Sequence, residues 1–260
     1  MSYLLNALTW SGRNTPLGRG KARRVLILAA KKLSGGRPVE TTYRGVPIIL
    51  HLDNTTERKA LFSAYDRTEM EFLREYLSGP DAVYVDIGAN SGLYVQWLAA
   101  HMREDAKVVA IEPNPQMCAR IRQNVALLAK KPEIRIECCA AGDTASTMYL
   151  DLSHGFGTAA LTDTGGLEVQ VLPLRAILGN AGCDFISALK IDVEGYEDRI
   201  LCGFFREAAH RAWPRAIVME YVHSDRWNED AIKLLKNWGY ETIAKTRSNL
   251  LLRLRSMRPA

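Results

Sequence analysis

Apolar and polar positions alternate with two different rhythms along the chain. Residues 1–19 are rich in Ser, Gly, Asn, Thr and Pro, which predicts a loose segment. Lys21 to Leu33 predicts a short basic helix, stopped by Ser34-Gly35-Gly36. Val39 to Tyr43 and Val46 to Leu52 read as two strands joined through Arg44-Gly45, a hairpin. From Thr56 to Leu77 the apolar residues Leu61, Phe62, Tyr65, Met70, Leu73 and Leu77 fall mostly three and four apart, which predicts one helix ended by Ser78-Gly79-Pro80.

After residue 80 strands and helices alternate. Strands are predicted at Ala82–Ile87, Lys107–Ile111, Ile134–Cys139, Phe185–Ile191 and Ala216–Tyr221. Helices are predicted at Gly92–Met102, Pro115–Ala129, Tyr196–His210 and Glu229–Trp238. Alternating stretches at Thr147–Leu152 and Glu168–Leu172 flank a Gly-rich centre, and Tyr240–Ala244 with Asn249–Leu254 form a closing strand pair. The alternation implies right-handed βαβ units, an α/β fold with a mostly parallel sheet and an antiparallel element at one edge. The expected division is an N-terminal extension with hairpin and lid helix, residues 1–79, and a ligand-binding domain, residues 80–260. Ligands bind such sheets outside the carboxyl ends of the strands. The chemistry is therefore expected at residues 86–92, 112–115, 140–143, 192–195 and 220–223.

Composition narrows the class. Of 260 residues, 47% are apolar and 24% charged, as expected of a globular chain with a core. No apolar run approaches the ~18 residues of a membrane span. The longest early run, Val25 to Ala30, is shorter than the ~7 residues of a signal-peptide core, so export is not expected and the cytoplasm is. Cysteines 118, 138, 139, 183 and 202 show no repeated spacing, which predicts buried, reduced thiols and no zinc site. The formal charge of +5 belongs to the ends. Residues 1–39 hold eight Lys/Arg and residues 245–260 hold five, with no acid in either stretch. Such ends suit a solvated arm, nucleic acid or an anionic membrane surface.

Candidate chemistry begins with Ala82-Val83-Tyr84-Val85, an apolar run that ends on Asp86 and is followed by Gly88, Asn90 and Gly92. Glycine allows a close backbone approach, and the following helix start attracts electron-rich groups. Asn90 replaces the central glycine of the dinucleotide fingerprint, and Asp86 at the strand tip would repel a diphosphate but pair with an ammonium group. Glu112 ends the next strand twenty residues beyond Gly92, where an acid bonds ribose hydroxyls in nucleoside-binding folds. Together these positions indicate a nucleoside without a diphosphate, which S-adenosylmethionine satisfies. A later strand delivers Lys190, Asp192 and Glu194 to the same edge, with Lys190 and Asp192 on one face.

The stretches VDIGANSGLY, IEPNP and LKIDVEGYE, in this order and spacing, resemble the FkbM family of S-adenosylmethionine-dependent methyltransferases. The resemblance covers residues 82–200 most clearly. It implies a class I methyltransferase (Rossmann-like) seven-stranded sheet whose last strand is antiparallel, and methyl transfer to a hydroxyl of a sugar or other natural product. Carried over by position, Asp86, Gly88, Asn90 and Gly92 line the methionine part of the cofactor. Glu112 holds the ribose, Pro113 and Asn114 flank it, and Ala141 to Asp143 border adenine. Asp192 and Glu194 face the reacting end. Arg175 stands in a segment where the family often has an acid.

Methylating an alcohol calls for a general base near the hydroxyl. The candidates are Asp192, Glu194, Glu220 and His223, with Asp192 favoured and Lys190 orienting it. Asp192, Glu194 and Glu220 could also hold a hard cation, but no metal is expected. Tyr65, Asp66 and Glu69, one helical turn apart, are candidates to reach the cofactor or acceptor. Trp10, Trp97, Trp213, Trp227 and Trp238 are expected to be packing residues. The stretch Asp192-Val193-Glu194-Gly195 differs from the Asn/Asp-Pro-Pro-aromatic pattern of base amino methylation, so nucleic acid is not the expected partner. The expected partner is a small-molecule or glycan hydroxyl acceptor, with a peripheral membrane contact through the basic N-terminus. N-methylation, cofactor cyclisation, a nicotinamide oxidoreductase and a non-catalytic binding protein remain as alternatives.

Overall fold

The computed structural model describes residues 3–15, 20–62, 65–152, 160–162 and 164–255. Arg19, Arg258 and the Gly-rich centre at 153–159 lie outside the described residues. Helices α1 (Tyr3–Asn14) and α2 (Gly20–Ser34) come first, so much of the segment expected to be loose is helical. They lead into a hairpin of β1 (Val39–Tyr43) and β2 (Val46–Leu50), paired antiparallel through Arg44-Gly45. Where one helix was expected there are two, α3 (Thr55–Ala60) and α4 (Arg67–Glu75). The physical reason is local: Asp66 has a φ of 43°, a left-handed conformation that an α-helix cannot pass through.

The main sheet is built from β3 (Val83–Ile87), α5 (Leu93–Ala99), β4 (Lys107–Ile111), α6 (Pro115–Val125) and β5 (Glu133–Glu137). It continues with β10 (Ala188–Ile191), α8 (Glu197–Glu207), β11 (Ala216–Glu220), α9 (Ala231–Asn237), β12 (Tyr240–Lys245) and β13 (Asn249–Leu254). Between β5 and β10 the chain makes a second, four-stranded sheet from β6 (Ala140–Gly142), β7 (Ser146–Asp151), β8 (Ala160–Thr162) and β9 (Leu167–Pro173), followed by α7 (Leu174–Asn180). The alternating stretches around the Gly-rich centre supply β7 and β9, which pair antiparallel.

The seven strands lie in the order β12-β13-β11-β10-β3-β4-β5. Only β13 runs against its neighbours, and it pairs with both β11 and β12. The antiparallel strand therefore sits one place inside the edge rather than on it. A short turn after β12 reverses the chain, and the returning strand takes the free edge of β11.

Residues on β3 and β10 are buried throughout, as a parallel sheet covered on both faces requires. One face packs Tyr84, Val108, Ala188 and Val218 with the hairpin and α4–α6. The other packs Val85, Val109, Leu189 and Ile217 with α7–α9. The hairpin is held to the sheet by amide side chains. Asn124 accepts a hydrogen bond from Ile49 N at 2.8 Å and donates to Ile49 O, and Gln96 donates to Pro47 O at 2.7 Å.

Three of the five tryptophans behave as packing residues: Trp97 is buried, and Trp213 and Trp238 lie 5.0 and 4.8 Å from the Phe205 ring. Trp227 is half-buried and donates a hydrogen bond to Glu197, while Trp10 is 64% exposed, against expectation. Cys118 and Cys138 are joined as a disulfide, which corrects the expectation of five reduced thiols. The start of α6 and the end of β5 lie side by side and bring their Cα atoms to 6.3 Å. Cys139, Cys183 and Cys202 are free and buried. No helix among the described residues is long and apolar enough to cross a membrane.

Phe205 fills the space among Trp213, Trp238 and Tyr240 beneath β11–β13. Phe205→Ala should destabilise the fold by about 3–5 kcal/mol. Urea unfolding with an unchanged m-value would show it.

Candidate active site

A cavity of about 920 Å³ opens at the carboxyl ends of β3, β4, β10 and β11. Its floor is the turn after β3. Gly88 and Ala89 both donate their N–H to Ile111 O, at 3.0 and 3.1 Å, which curls the turn over the end of β4. Gly88 has a φ of 75°, Asn90 one of 51° and Gly92 one of 80°, so the turn passes three times through the left-handed region. A Cβ on Gly88 would lie 1.9 Å from Asp192 O, and one on Gly92 would strike the Ile121 side chain. Both glycines are thus required by the chain's own packing, not only by a ligand's approach.

Glu112 faces this cavity from the tip of β4 and is 7% exposed. Its Oε2 accepts from Asn90 N at 2.8 Å and its Oε1 from Asn114 N at 2.9 Å. Burial pushes its carboxyl up to about 7, against the two N–H groups that favour the charged form. The Asn90 side chain in turn accepts from Asn54 Nδ2 at 2.7 Å. This contact ties the segment before α3 to the turn.

Of the residues proposed for the cofactor, Gly88, Asn90, Glu112, Pro113, Ala141 and Asp192 line the cavity. Asp86, Gly92, Asn114 and Asp143 do not. Asp86 is wholly buried, with its carboxylate 3.4 Å from Lys190 Nζ. The ammonium group it faces is therefore inside the protein, on a lysine one strand away at ion-pair distance. Parallel pairing sets Lys190 beside Asp86, and side-chain period puts both on one face. Asn114 caps α6 by accepting from Gln116 N, with Pro115 in the first turn. Asp143 is exposed and accepts from Thr144 N.

Lys190 Nζ also donates to Gly88 O at 2.8 Å and lies 3.6 Å from Asp192 Oδ2. Burial alone would lower its pKa, but the Asp86 and Asp192 carboxylates outweigh burial and hold it above the ordinary value. The lysine stays charged.

Asp192, Glu194, Glu220 and His223 gather at the ends of β10 and β11 and line the cavity, as the strand edges predicted. His223 Nε2 lies 2.9 Å from Glu194 Oε2. Burial, then Asp192 and Glu194, push the Glu220 carboxyl up to about 9. Ligand atoms of Glu194, Glu220 and His223 lie within 4.8 Å of one another, close enough to hold a cation. The loops carrying them are locked from below. Glu197 accepts from Val193 N, Gly195 N and Trp227 Nε1, and Asp198 accepts from Asn228 N and Glu229 N.

Tyr65, Asp66 and Glu69 do reach the cavity. Sequence reasoning missed Tyr94, whose hydroxyl donates to Asp66 at 3.0 Å, and Thr246 and Asn249, which donate to Glu69. Tyr94 closes the VDIGANSGLY stretch, whose glycines and acid drew attention away from it, and Thr246 and Asn249 carry no motif. Only the position of the turn before β13 at the same sheet edge could have pointed to the last two.

Lys190→Met would leave Asp86 buried without its counter-charge, and is expected to cost about 3–5 kcal/mol of stability at neutral pH. Adding Asp86→Asn should recover part of that loss. A denaturant double-mutant cycle measures the coupling.

Comparison with known proteins matches residues 86–242 to the Methyltransferase FkbM domain family. The chain is 29% identical over 203 residues to the 31-O-demethyl-FK506 methyltransferase FkbM of Streptomyces tacrolimicus, covering 64% of this chain and 75% of that one. It is 26% identical over 147 residues to the 2-O-methyltransferase NoeI of Sinorhizobium fredii, covering 49% of this chain and 59% of that one. Among solved structures, the precorrin-6y C5,15-methyltransferase of Geobacter metallireducens superposes with a TM-score of 0.44 at 15% identity, covering 74% of this chain and 90% of that one. The family match spans the turn after β3, Glu112 and the acidic ends of β10 and β11, and on that ground the chain belongs to the FkbM family of S-adenosylmethionine-dependent methyltransferases.

Proposed function

We propose that this protein binds S-adenosylmethionine in the cavity and methylates a hydroxyl of a sugar or other natural product. The observation that carries the cofactor reading is Glu112. A carboxyl at the tip of β4, with both oxygens pinned by backbone N–H groups and facing the cavity, is a prepared acceptor for a ribose diol. Gly88, Asn90 and Ser91 form the wall beside the methionine end, and Pro113 and Ala141 offer apolar contact to the base. The cavity holds no phosphate cradle of the G-x-G-x-x-G kind, since Asn90 takes the middle place. The hydroxyl acceptor is supported by the names of the two relatives, a 31-O-demethyl-FK506 methyltransferase and a 2-O-methyltransferase.

The cofactor supplies an electrophilic methyl group, and the chain's task is to orient the acceptor and take its proton. The His223–Glu194 pair suits that task better than Asp192, the carboxylate favoured on sequence. Asp192 is already engaged at the cavity floor, where its Oδ2 lies 3.6 Å from Lys190 Nζ. Glu220 itself keeps its proton at neutral pH. His223 is backed by a carboxylate at hydrogen-bond distance, the arrangement of an activated imidazole.

Calorimetric titration with S-adenosylhomocysteine, with NADH as control, tests the cofactor reading. Binding of the first alone is expected, and binding of NADH alone would replace this reading by an oxidoreductase. A ribose diol donates to the ionised Glu112. Affinity should therefore be full above about pH 7 and fall by up to tenfold per unit below it. Glu112→Gln should weaken binding about tenfold, or about 1.4 kcal/mol, and flatten that profile. His223→Asn and Glu194→Gln should each lower kcat about a hundredfold or more while cofactor affinity holds. Transfer of labelled methyl to a panel of hydroxylated sugars and polyketides is the assay. Full turnover by His223→Asn would return the role to Asp192.

A further inference from the structure

The two N-terminal helices are apolar on opposite sides. Their inner sides join the core: Leu5 and Ala30 are buried, and Leu8, Leu26 and Ile27 pack against the same cluster. Their outer sides leave Tyr3 85%, Trp10 64%, Val25 66% and Leu28 67% exposed. A single exposed apolar residue is ordinary. Here they recur at helical spacing. On α1, Tyr3, Ala7 and Trp10 are exposed and follow one another four and three residues apart. On α2, Lys21, Arg24, Val25, Leu28, Lys31 and Lys32 are all exposed and fall on one stripe at three- and four-residue steps. Cations stand at both ends of that stripe and two aliphatic residues at its centre. No acid interrupts it, since residues 1–39 contain none.

We propose that the outer face of α1 and α2 is a docking surface for an anionic lipid bilayer. Trp10, Tyr3, Val25 and Leu28 enter the headgroup layer, and Lys21, Arg24, Lys31 and Lys32 meet the lipid phosphates and carboxylates. This is the composition of a helix that lies in a membrane surface rather than across it. Aromatic residues suit the polar–apolar boundary, and long basic side chains extend from an immersed helix to the headgroups. A nucleic acid would use the cations but gain nothing from the aliphatic centre. All the acids lie in residues 40–244, which are net acidic, so an anionic surface attracts the more heavily basic N-terminal end and repels that body.

The docking face is rigidly joined to the rest. Arg13 donates from Nε to Leu61 O at 2.9 Å and from a terminal nitrogen to Thr42 O. Gly12 lies so close to the Phe62 ring that a Cβ there would overlap it. Leu61 and Phe62 follow Thr55, Thr56 and Lys59 and precede Tyr65 to Glu69, all of which line the cavity. The docked helices are thus bonded to the cavity's own wall.

Vesicle co-sedimentation of the full chain tests the proposal. Binding is expected to vesicles of phosphatidylcholine mixed with phosphatidylserine at low salt, and not to phosphatidylcholine alone. Val25→Ser/Leu28→Ser and Lys31→Gln/Lys32→Gln should each weaken binding by about tenfold or more. Both pairs are exposed, so circular dichroism and S-adenosylhomocysteine affinity should match the parent. The outcome is thereby independent of the methyl-transfer reading. Three results would overturn it: no binding to the anionic vesicles; binding to them, or equally to duplex RNA, that ignores the Val25→Ser/Leu28→Ser change; or a dimer in sedimentation velocity that the same change dissolves.

Discussion

One buried ammonium holds the centre of the molecule. Lys190 Nζ reaches Gly88 O on the turn after β3, Asp86 inside β3 and Asp192 at the end of its own strand. A lysine charge so deep in a sheet is costly unless opposite charge and hydrogen bonds surround it. Here two carboxylates and a carbonyl do, and the Tyr94 ring lies 5.5 Å away. The same contacts set the distance between the turn and Asp192. The two halves of the cavity floor cannot shift independently without uncovering that charge.

The walls depend on buried polar groups in a similar way. Glu197 and Asp198, at the start of α8, gather the backbone N–H groups of two loops and so fix Glu194 and His223. On the opposite side Arg120 is bound to Glu57 at 2.8 Å and Asp53 at 2.9 Å, while Asn54 holds Asn90. The segment before the main sheet is therefore bonded to the turn after β3 as well as packed on the core. Buried groups of this kind are costly without partners, so the hydrogen bonds they make here constrain the shape of these loops.

Burial also decides where protons sit. Glu112 is pushed up to about 7, Asp66 to about 6 and Glu220 to about 9, in each case mainly by loss of water. The cavity counts several acids by formula, yet around neutral pH it carries fewer negative charges than its composition suggests. Lys190 remains charged beneath them.

Several features were legible in the chain before any coordinates. Apolar periodicity located the strands of the main sheet to within a few residues, because side-chain direction follows backbone period. Glu112 could be read from its place at a strand tip, and the gathering of Asp192, Glu194, Glu220 and His223 from the rule that strand ends share an edge. Local chemistry was sufficient there. It was not sufficient for Asp86, which reads like a ligand group but is matched to Lys190, about a hundred residues away, by sheet register. Nor could it show that Gly88 makes room for the Asp192 carbonyl, that Asp66 breaks a regular helical pattern, that β13 slips between β11 and β12, or that Cys118 meets Cys138. Sequence determines what each short stretch can do by itself. Only the tertiary structure decides which distant group becomes its partner, because pairing depends on register and burial, and neither belongs to a single segment.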